Sequence, residues 1–352
     1  MAVLTEEQTM LRDAAKAWAQ EKSPVIQFRK LRDSGNADGF DRAVWKEMAE
    51  MGWAGIVIPE EYGGTDLGYL TLGIVLEETG RTLTASPLLS TGLIAAGAIA
   101  LGGTEAQKRE WLPGIAGGSV VAAFAVDEGP HHHQGKLAMT KALSGTKRFV
   151  ADGGAADLIV VATADGLFLV RGDAKGLTRQ RLHSVDSRGF ANLTFDNVQG
   201  EALAAPLDAV LDRARAGLAA EMLGTATQAF EITLDYLKTR TQFGQLIGTF
   251  QALQHRAAKM YTELELTRSC VEAALTAIDK DANDTAQLVS LAKAKASELL
   301  HLVSTEMVQM HGGIGMTDAH DAGLYLKRAR VAEALYGGAS FHRDRYATLL
   351  GY

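Results

Sequence analysis

Cysteine is nearly absent. The single Cys270 among 352 residues excludes an intrachain disulfide and any multi-cysteine metal site, which suits a reducing compartment. Proline is scarce as well: six occur and none follows Pro206, so nothing in the last third interrupts long helices. No stretch approaches the roughly 18 uninterrupted apolar residues of a membrane span. The opening Met-Ala-Val-Leu-Thr-Glu-Glu-Gln lacks the basic start and apolar run of a secretory signal, so the expectation is a cytoplasmic protein with no membrane partner. A basic excess is missing too. The formal net charge of -7 argues against a nucleic-acid partner, which calls for a basic face or stripe. What is present, 47% hydrophobic and 22% charged residues, suffices for one large core or two to three coupled ones.

The pattern changes twice along the chain. The first 118 residues have helical periodicity, with Thr5-Glu-Glu-Gln8 resembling a capping box and an apolar helix predicted over residues 70–79. Residues 119–205 carry short β-prone runs at 120–126, 158–163, 167–170 and 191–198, separated by Gly, Asp and Asn turn signals. Residues 206–352 read as a helix bundle, with helices predicted over 214–238, 250–280, 285–311 and 318–350, the last broken at Gly337-Gly338. The fold class is therefore α+β, in three regions at 1–118, 119–205 and 206–352.

Two segments of the bundle region interrupt helical patterns with glycine: Arg240-Thr-Gln-Phe-Gly244 with Phe250-Gln251 after it, and Gln309-Met-His-Gly-Gly-Ile-Gly315. Glycine lets backbone approach a ligand, and guanidinium and amide side chains bind phosphate and polar groups, so both point to a dinucleotide-type cofactor held by helices.

Together with residues 45–64 (Gly52-Trp53, Pro59-Glu-Glu-Tyr-Gly-Gly64) and Leu143-Ser-Gly-Thr-Lys147, these segments resemble acyl-CoA dehydrogenases in order and spacing across nearly the whole chain. The resemblance implies a helical N-terminal domain, a middle β-barrel or sandwich domain and a C-terminal four-helix bundle, with FAD bound where subunits meet and an acyl-CoA thioester as substrate. It implies that Arg240 contacts the pyrophosphate, Phe243 is the adjoining aromatic, Gln251 and Gln309 are ligands, and Gly312 and Gly313 admit the cofactor, all serving a neighbouring subunit. It also implies a substrate-binding role for Arg215.

The residues depart from the family where the flavin ring and the base belong. The aligned ring-edge stretch is Val126-Asp127-Glu128-Gly129-Pro130 followed by His131-His132-His133. Adjacent histidines point different ways and rarely chelate one ion, so they read as an exposed loop, and no metal is expected. An aromatic followed by a flavin-directed hydroxyl becomes Phe149 and Ala151. The usual base glutamate becomes Gly337, and the alternative position before Arg215 is Ala214. Glu221 is the remaining nearby carboxylate, but seven residues along a helix is roughly 10 Å, and an interhelical contact is the commoner role for such a residue. Asp127 and Glu128 are weaker candidates; Asp186-Ser187-Arg188 reads as a structural turn. An intact lent half-site beside an eroded retained one resembles a subunit of heteromeric α2β2 acyl-CoA dehydrogenases of bacterial steroid breakdown. The alternatives are a self-sufficient homo-oligomer using Glu221 and a non-catalytic scaffold.

Overall fold

The structure is a computed structural model that describes residues 4–132 and 137–352. The chain begins with helices α1 (Glu6–Lys22), α2 (Val25–Ser34), α3 (Arg42–Glu50), α4 (Gly68–Arg81), α5 (Ala96–Gly102) and α6 (Glu105–Ala116). Seven strands follow: β1 (Ala122–Ala125), β2 (Gly145–Ala151), β3 (Leu158–Thr163), β4 (Gly166–Arg171), β5 (Leu177–His183), β6 (Gly189–Phe195) and β7 (Glu201–Leu203). Helix α7 (Leu207–Thr239), the short strands β8 (Thr241–Gln242) and β9 (Gln245–Leu246), and helices α8 (Gln251–Asp279), α9 (Thr285–His311), α10 (Ala322–Ala334) and α11 (Ala339–Leu349) complete it.

The described chain divides into two compact units. One comprises the chain up to Val25, Gly73–Thr84 and Leu218–Tyr352; the other comprises Ile26–Leu72 and Ala85–Gly217. The helices of the first 118 residues are thus shared between the two units, and α4 and α7 each contribute to both.

In the first unit, α1 starts on the expected capping box, with the Gln8 amide donating to Thr5 Oγ1 at 3.1 Å and the Thr5 amide to Gln8 Oε1 at 3.1 Å. Helices α4 and α7 cross with their backbones in contact. A Cβ on Gly224 would lie 1.8 Å from the Glu77 carbonyl oxygen and one on Gly80 2.3 Å from that of Glu221, so both positions require glycine. Ion pairs then tie the helices together: Glu77 to Arg268, Arg81 to Glu231 and Glu221 to Arg328. Helix α9 ends at Gly312, whose φ of +64 no β-carbon-bearing residue adopts readily.

In the second unit the strands form two sheets, ordered β1-β3-β4-β7 and β2-β6-β5. Ala123, Ile159 and Val161 of one sheet and Val150, Ala191 and Leu193 of the other share a single buried core, which makes a sandwich. β1 and β3 pair in parallel; every other pairing is antiparallel. β2, β5 and β7 have no counterpart among the β-prone runs of the sequence. β2 and β5 are edge strands of the smaller sheet, and the Leu-Thr-Arg-Gln-Arg-Leu-His of β5 has too few apolar residues to register as a run. The motif at 59–64 is a corner of this unit: Gly63 has φ +85, and a Cβ on Gly64 would meet the Ile58 carbonyl oxygen at 2.0 Å. Asp186-Ser187-Arg188 is a turn, with Ser187 at φ +57 and Asp186 accepting from Ser184 Oγ at 2.5 Å.

Candidate functional site

Three helix ends of the first unit converge. The Tyr236 ring, near the C-terminus of α7, stacks on His311 at the C-terminus of α9 with centroids 4.3 Å apart, and Tyr236 Oη donates to the His311 carbonyl at 3.4 Å. The turn before α8 presses on α7, since a Cβ on Gly248 would meet the Leu237 carbonyl oxygen at 2.7 Å. Arg240, Phe243, Gln251, Gln309, Gly312 and Gly313 are therefore brought to one end of the bundle, as their motifs predict.

Their side chains are exposed, and none of Arg240, Gln251 or Gln309 has a side-chain partner among the described residues. Phe243 and Gly244 turn the β8-β9 hairpin with φ of +54 and +80, the type I′ geometry. A bulky residue with positive φ is strained, yet Phe243 is 91% exposed and meets only the Phe250 ring, edge-on at 6.1 Å. The chain's own packing does not repay that strain. Helix α8 opens without a side-chain cap on Phe250; the Leu253 amide donates to the Phe250 carbonyl, and the amides of Gln251 and Ala252 are left available to an anion. Above Gly312 and Gly313 nothing lies within 4 Å of an added Cβ, and Gly313 does not even have positive φ. The fold itself does not need glycine at 313. A guanidinium, free amides and an open glycine cradle are the donor set and the space that a nucleotide diphosphate requires. Gly313→Ala should accordingly leave the melting temperature within about 2 °C, an exposed substitution being worth about 0.5 kcal/mol or less, while lowering flavin content measured by absorbance.

The base positions look different. Gly337 is buried with φ +101, and a Cβ there would lie 2.4 Å from Phe341 Cδ1 and 3.0 Å from His342 Nε2. Its carbonyl accepts from Lys293 Nζ at 3.0 Å; the same buried ammonium also bonds the carbonyls of Ala332 and Glu333. His342 Nε2 lies 3.0 Å from the Tyr336 carbonyl oxygen. The glutamate of the family pattern is not merely missing here: the backbone turn is closed around its absence. Glu221 is buried, with Arg328 Nε at 3.0 Å and NH2 at 2.9 Å from Oε1, the interhelical contact that the sequence suggests.

In the second unit, the ring-edge stretch is pinned at both ends. Glu128 accepts from Lys147 Nζ at 2.6 Å and from the amides of Ala138 and Met139 at 2.8 and 3.1 Å. Burial raises the Glu128 pKa, but the Lys147 hydrogen bond and the two amides outweigh it, holding the carboxyl below its ordinary range. Burial likewise drives the Lys147 ammonium down, with Glu128 restoring part of the loss. Glu128 is thus committed to a loop clamp. Further along, Asp127 Oδ1 lies 2.8 Å from His132 Nδ1, His132 Nε2 3.3 Å from Arg215 NH2, and Arg215 NH1 3.0 Å from Asp212 Oδ1. Arginine only donates, so His132 accepts on Nε2 and carries its proton on Nδ1.

This corrects the reading of the histidines as an exposed loop: the His132 side chain is 2% exposed, while His131 is exposed and His133 lies outside the described residues. Among the described residues no cluster of His, Cys, Asp and Glu could hold a metal ion. Arg215 is 0% exposed, with Asp212 and His132 among the groups that hold it. Phe149 sits at a β-bulge between Lys147 and Val150 with φ +52, and Ala151 offers no hydroxyl.

Residues that the sequence motifs did not single out are Lys293, His311 and the pair Phe341-His342. His311 lay within a quoted motif. Lys293 carries a weaker signal, a lysine among alanines at a core-facing helical position.

The described helices include none long and apolar enough to cross a membrane. Family models described as "Acyl-CoA dehydrogenase, N-terminal domain" and "Acyl-CoA dehydrogenase, C-terminal domain" match residues 5–119 and 204–350. The chain is 32% identical over 335 residues to acyl-CoA dehydrogenase IpdE2 of Mycobacterium tuberculosis, covering 94% of this chain and 93% of that one. Among solved structures it resembles the Tcur3481-Tcur3483 steroid ACAD (G363A variant), with 34% identity, 98% of both chains covered and a TM-score of 0.88. It also resembles the ChsE4-ChsE5 complex of Mycobacterium tuberculosis, with 25% identity, 99% of both chains covered and a TM-score of 0.91.

Proposed function

Because this chain belongs to the acyl-CoA dehydrogenase family, whose members are FAD-dependent oxidoreductases, we propose that it is one subunit of a heteromeric α2β2 acyl-CoA dehydrogenase. In that assembly it lends the adenine and pyrophosphate half of an FAD site to a partner polypeptide that supplies the ring site and the base. The observation that carries the reading is the contrast between two sets of positions. The exposed half-site of Arg240, Gln251, Gln309 and Gly312-Gly313 has donors and space to spare, whereas at Gly337 any side chain meets a positive φ and the Phe341 and His342 rings.

When bound, FAD takes up the β-hydrogen of an acyl thioester as hydride. Toward it, Arg240 and the first-turn amides of α8 hold phosphate charge, Gly312 and Gly313 admit the nucleotide, and the Gln251 and Gln309 amides fix its orientation. Phe243, strained and exposed, would be the aromatic adjoining Arg240 at the cofactor. Arg215 serves as framework rather than substrate ligand, its guanidinium being engaged by Asp212 and His132. Glu221 likewise acts as half of an ion pair rather than as a base.

Two structural relatives carry two-polypeptide names, and one of them is described as a steroid ACAD; bulky steroid-type acyl-CoA substrates and a cytoplasmic setting follow as part of the proposal. The test is purification with and without a second acyl-CoA dehydrogenase-like polypeptide. Alone, the chain should hold little FAD and oxidise no acyl-CoA; with its partner, flavin absorbance, a two-subunit mass and turnover should appear together. Recovery of the isolated chain as a fully flavinated, active homotetramer overturns the proposal.

A further inference from the structure

His311 closes helix α9 and is 3% exposed. Its ring is sandwiched between Tyr236 at 4.3 Å and His320 at 4.2 Å, centroid to centroid. Nδ1 lies 2.7 Å from the Met307 carbonyl oxygen; a carbonyl only accepts, so Nδ1 carries the proton and Nε2 the lone pair. Nε2 is buried and has no hydrogen-bond partner among the described residues. Burial holds the imidazole pKa below its ordinary value, with the Met307 carbonyl offsetting only part, which keeps the ring neutral and Nε2 an acceptor.

A buried acceptor without a donor bears the full desolvation penalty of the group, and a phenylalanine of similar shape would keep the ring stack without it. The position of the imidazole explains the histidine better than its stability does. Tyr236 leads into Arg240, and His311 leads into Gly312-Gly313, so the ring rivets together the two segments of the half-site. Their side chains and the α8 amides offer a phosphate many donors. A nucleotide also has donors of its own, the exocyclic amine of adenine and the ribose hydroxyls, and these need an acceptor.

We propose that His311 is a further member of the cofactor half-site, its Nε2 accepting a hydrogen bond from an N–H or O–H of the nucleotide portion of FAD. The inference rests on the half-site reading above. The approach is from the side of Gly312 and Gly313, the first residues of the Gly312–Met316 turn, where nothing lies within 4 Å of an added Cβ.

The test uses the co-purified complex stripped of flavin and titrated with FAD by fluorescence, together with melting of the isolated chain. His311→Phe, which loses the Nδ1–Met307 bond but also the unpaired Nε2, should melt within about 2 °C of the unaltered chain yet raise the FAD dissociation constant about three- to tenfold, the range of one hydrogen bond. His311→Gln, whose amide oxygen accepts, should recover part of that loss. A His311→Phe chain that melts lower while its complex binds FAD unchanged makes the imidazole purely structural and overturns the inference. Weakened subunit association at unchanged FAD affinity also overturns it, assigning the donor to the partner. Arg240→Ala separates the two levels. If it too leaves FAD affinity unchanged, the half-site reading falls; if it abolishes binding while His311→Phe does nothing, only the present inference falls.

Discussion

Gly337→Glu should restore no dehydrogenation and should lower stability by about 2–4 kcal/mol, the combined scale of a left-handed non-glycine residue and an overpacked core. Restoring the family's glutamate at this position is the obvious repair. The backbone at φ +101 disfavours any side chain, and its Cβ would enter the Phe341 ring at 2.4 Å. The turn has little freedom to yield, because Lys293 holds the Gly337 carbonyl at 3.0 Å and His342 holds that of Tyr336 at 3.0 Å. At this size of chain the loss corresponds to about 3–5 °C in melting temperature. Calorimetry and an acyl-CoA oxidation assay on the same preparation check it. A stable variant that oxidises acyl-CoA would mean that the turn is permissive and that the missing carboxylate alone silences the chain.

Glu221→Gln should be nearly as damaging to stability and carry no specific effect on chemistry. Removing one partner of a buried ion pair costs about 3–5 kcal/mol; the amide still accepts from Arg328 Nε, so about 2–3 kcal/mol is expected. What remains costly is the charge that the buried Arg328 guanidinium no longer faces at residue 221. The measurement is a chemical denaturation midpoint alongside turnover of the assembled enzyme per bound flavin. If Glu221 is a strut between α7 and α10, the midpoint falls and turnover per flavin stays. Loss of turnover at an unchanged midpoint would return the base role to Glu221.

The sequence disclosed most of the helices because their signals are local. Scarce proline and apolar spacing marked the bundle, with residues 285–311 predicted and Thr285–His311 observed. The strands that went unread owe their place to partners rather than to composition: β2 is Gly-Thr-Lys-Arg-Phe-Val-Ala, held by β6 across a bulge. The half-site was legible for a related reason. Its glycines interrupt helices, and its arginine and glutamines stand where a soluble surface would not demand them.

The surrounding framework was not legible, since nothing in three consecutive histidines announces that His132 turns inward to Arg215. The same holds for Gly337. The sequence shows a lost carboxylate; only the positions of Phe341, His342 and Lys293 reveal that the space for it has gone as well.

Phe243 and Met316 stand 91% and 78% exposed. On the heteromeric reading proposed above, a copy of the chain without its companion keeps these apolar side chains on display, where proteases and chaperones recognise them. Cellular abundance of the protein should therefore track the supply of its companion, so that a gene expressed in excess yields degraded or aggregated chain rather than a reserve.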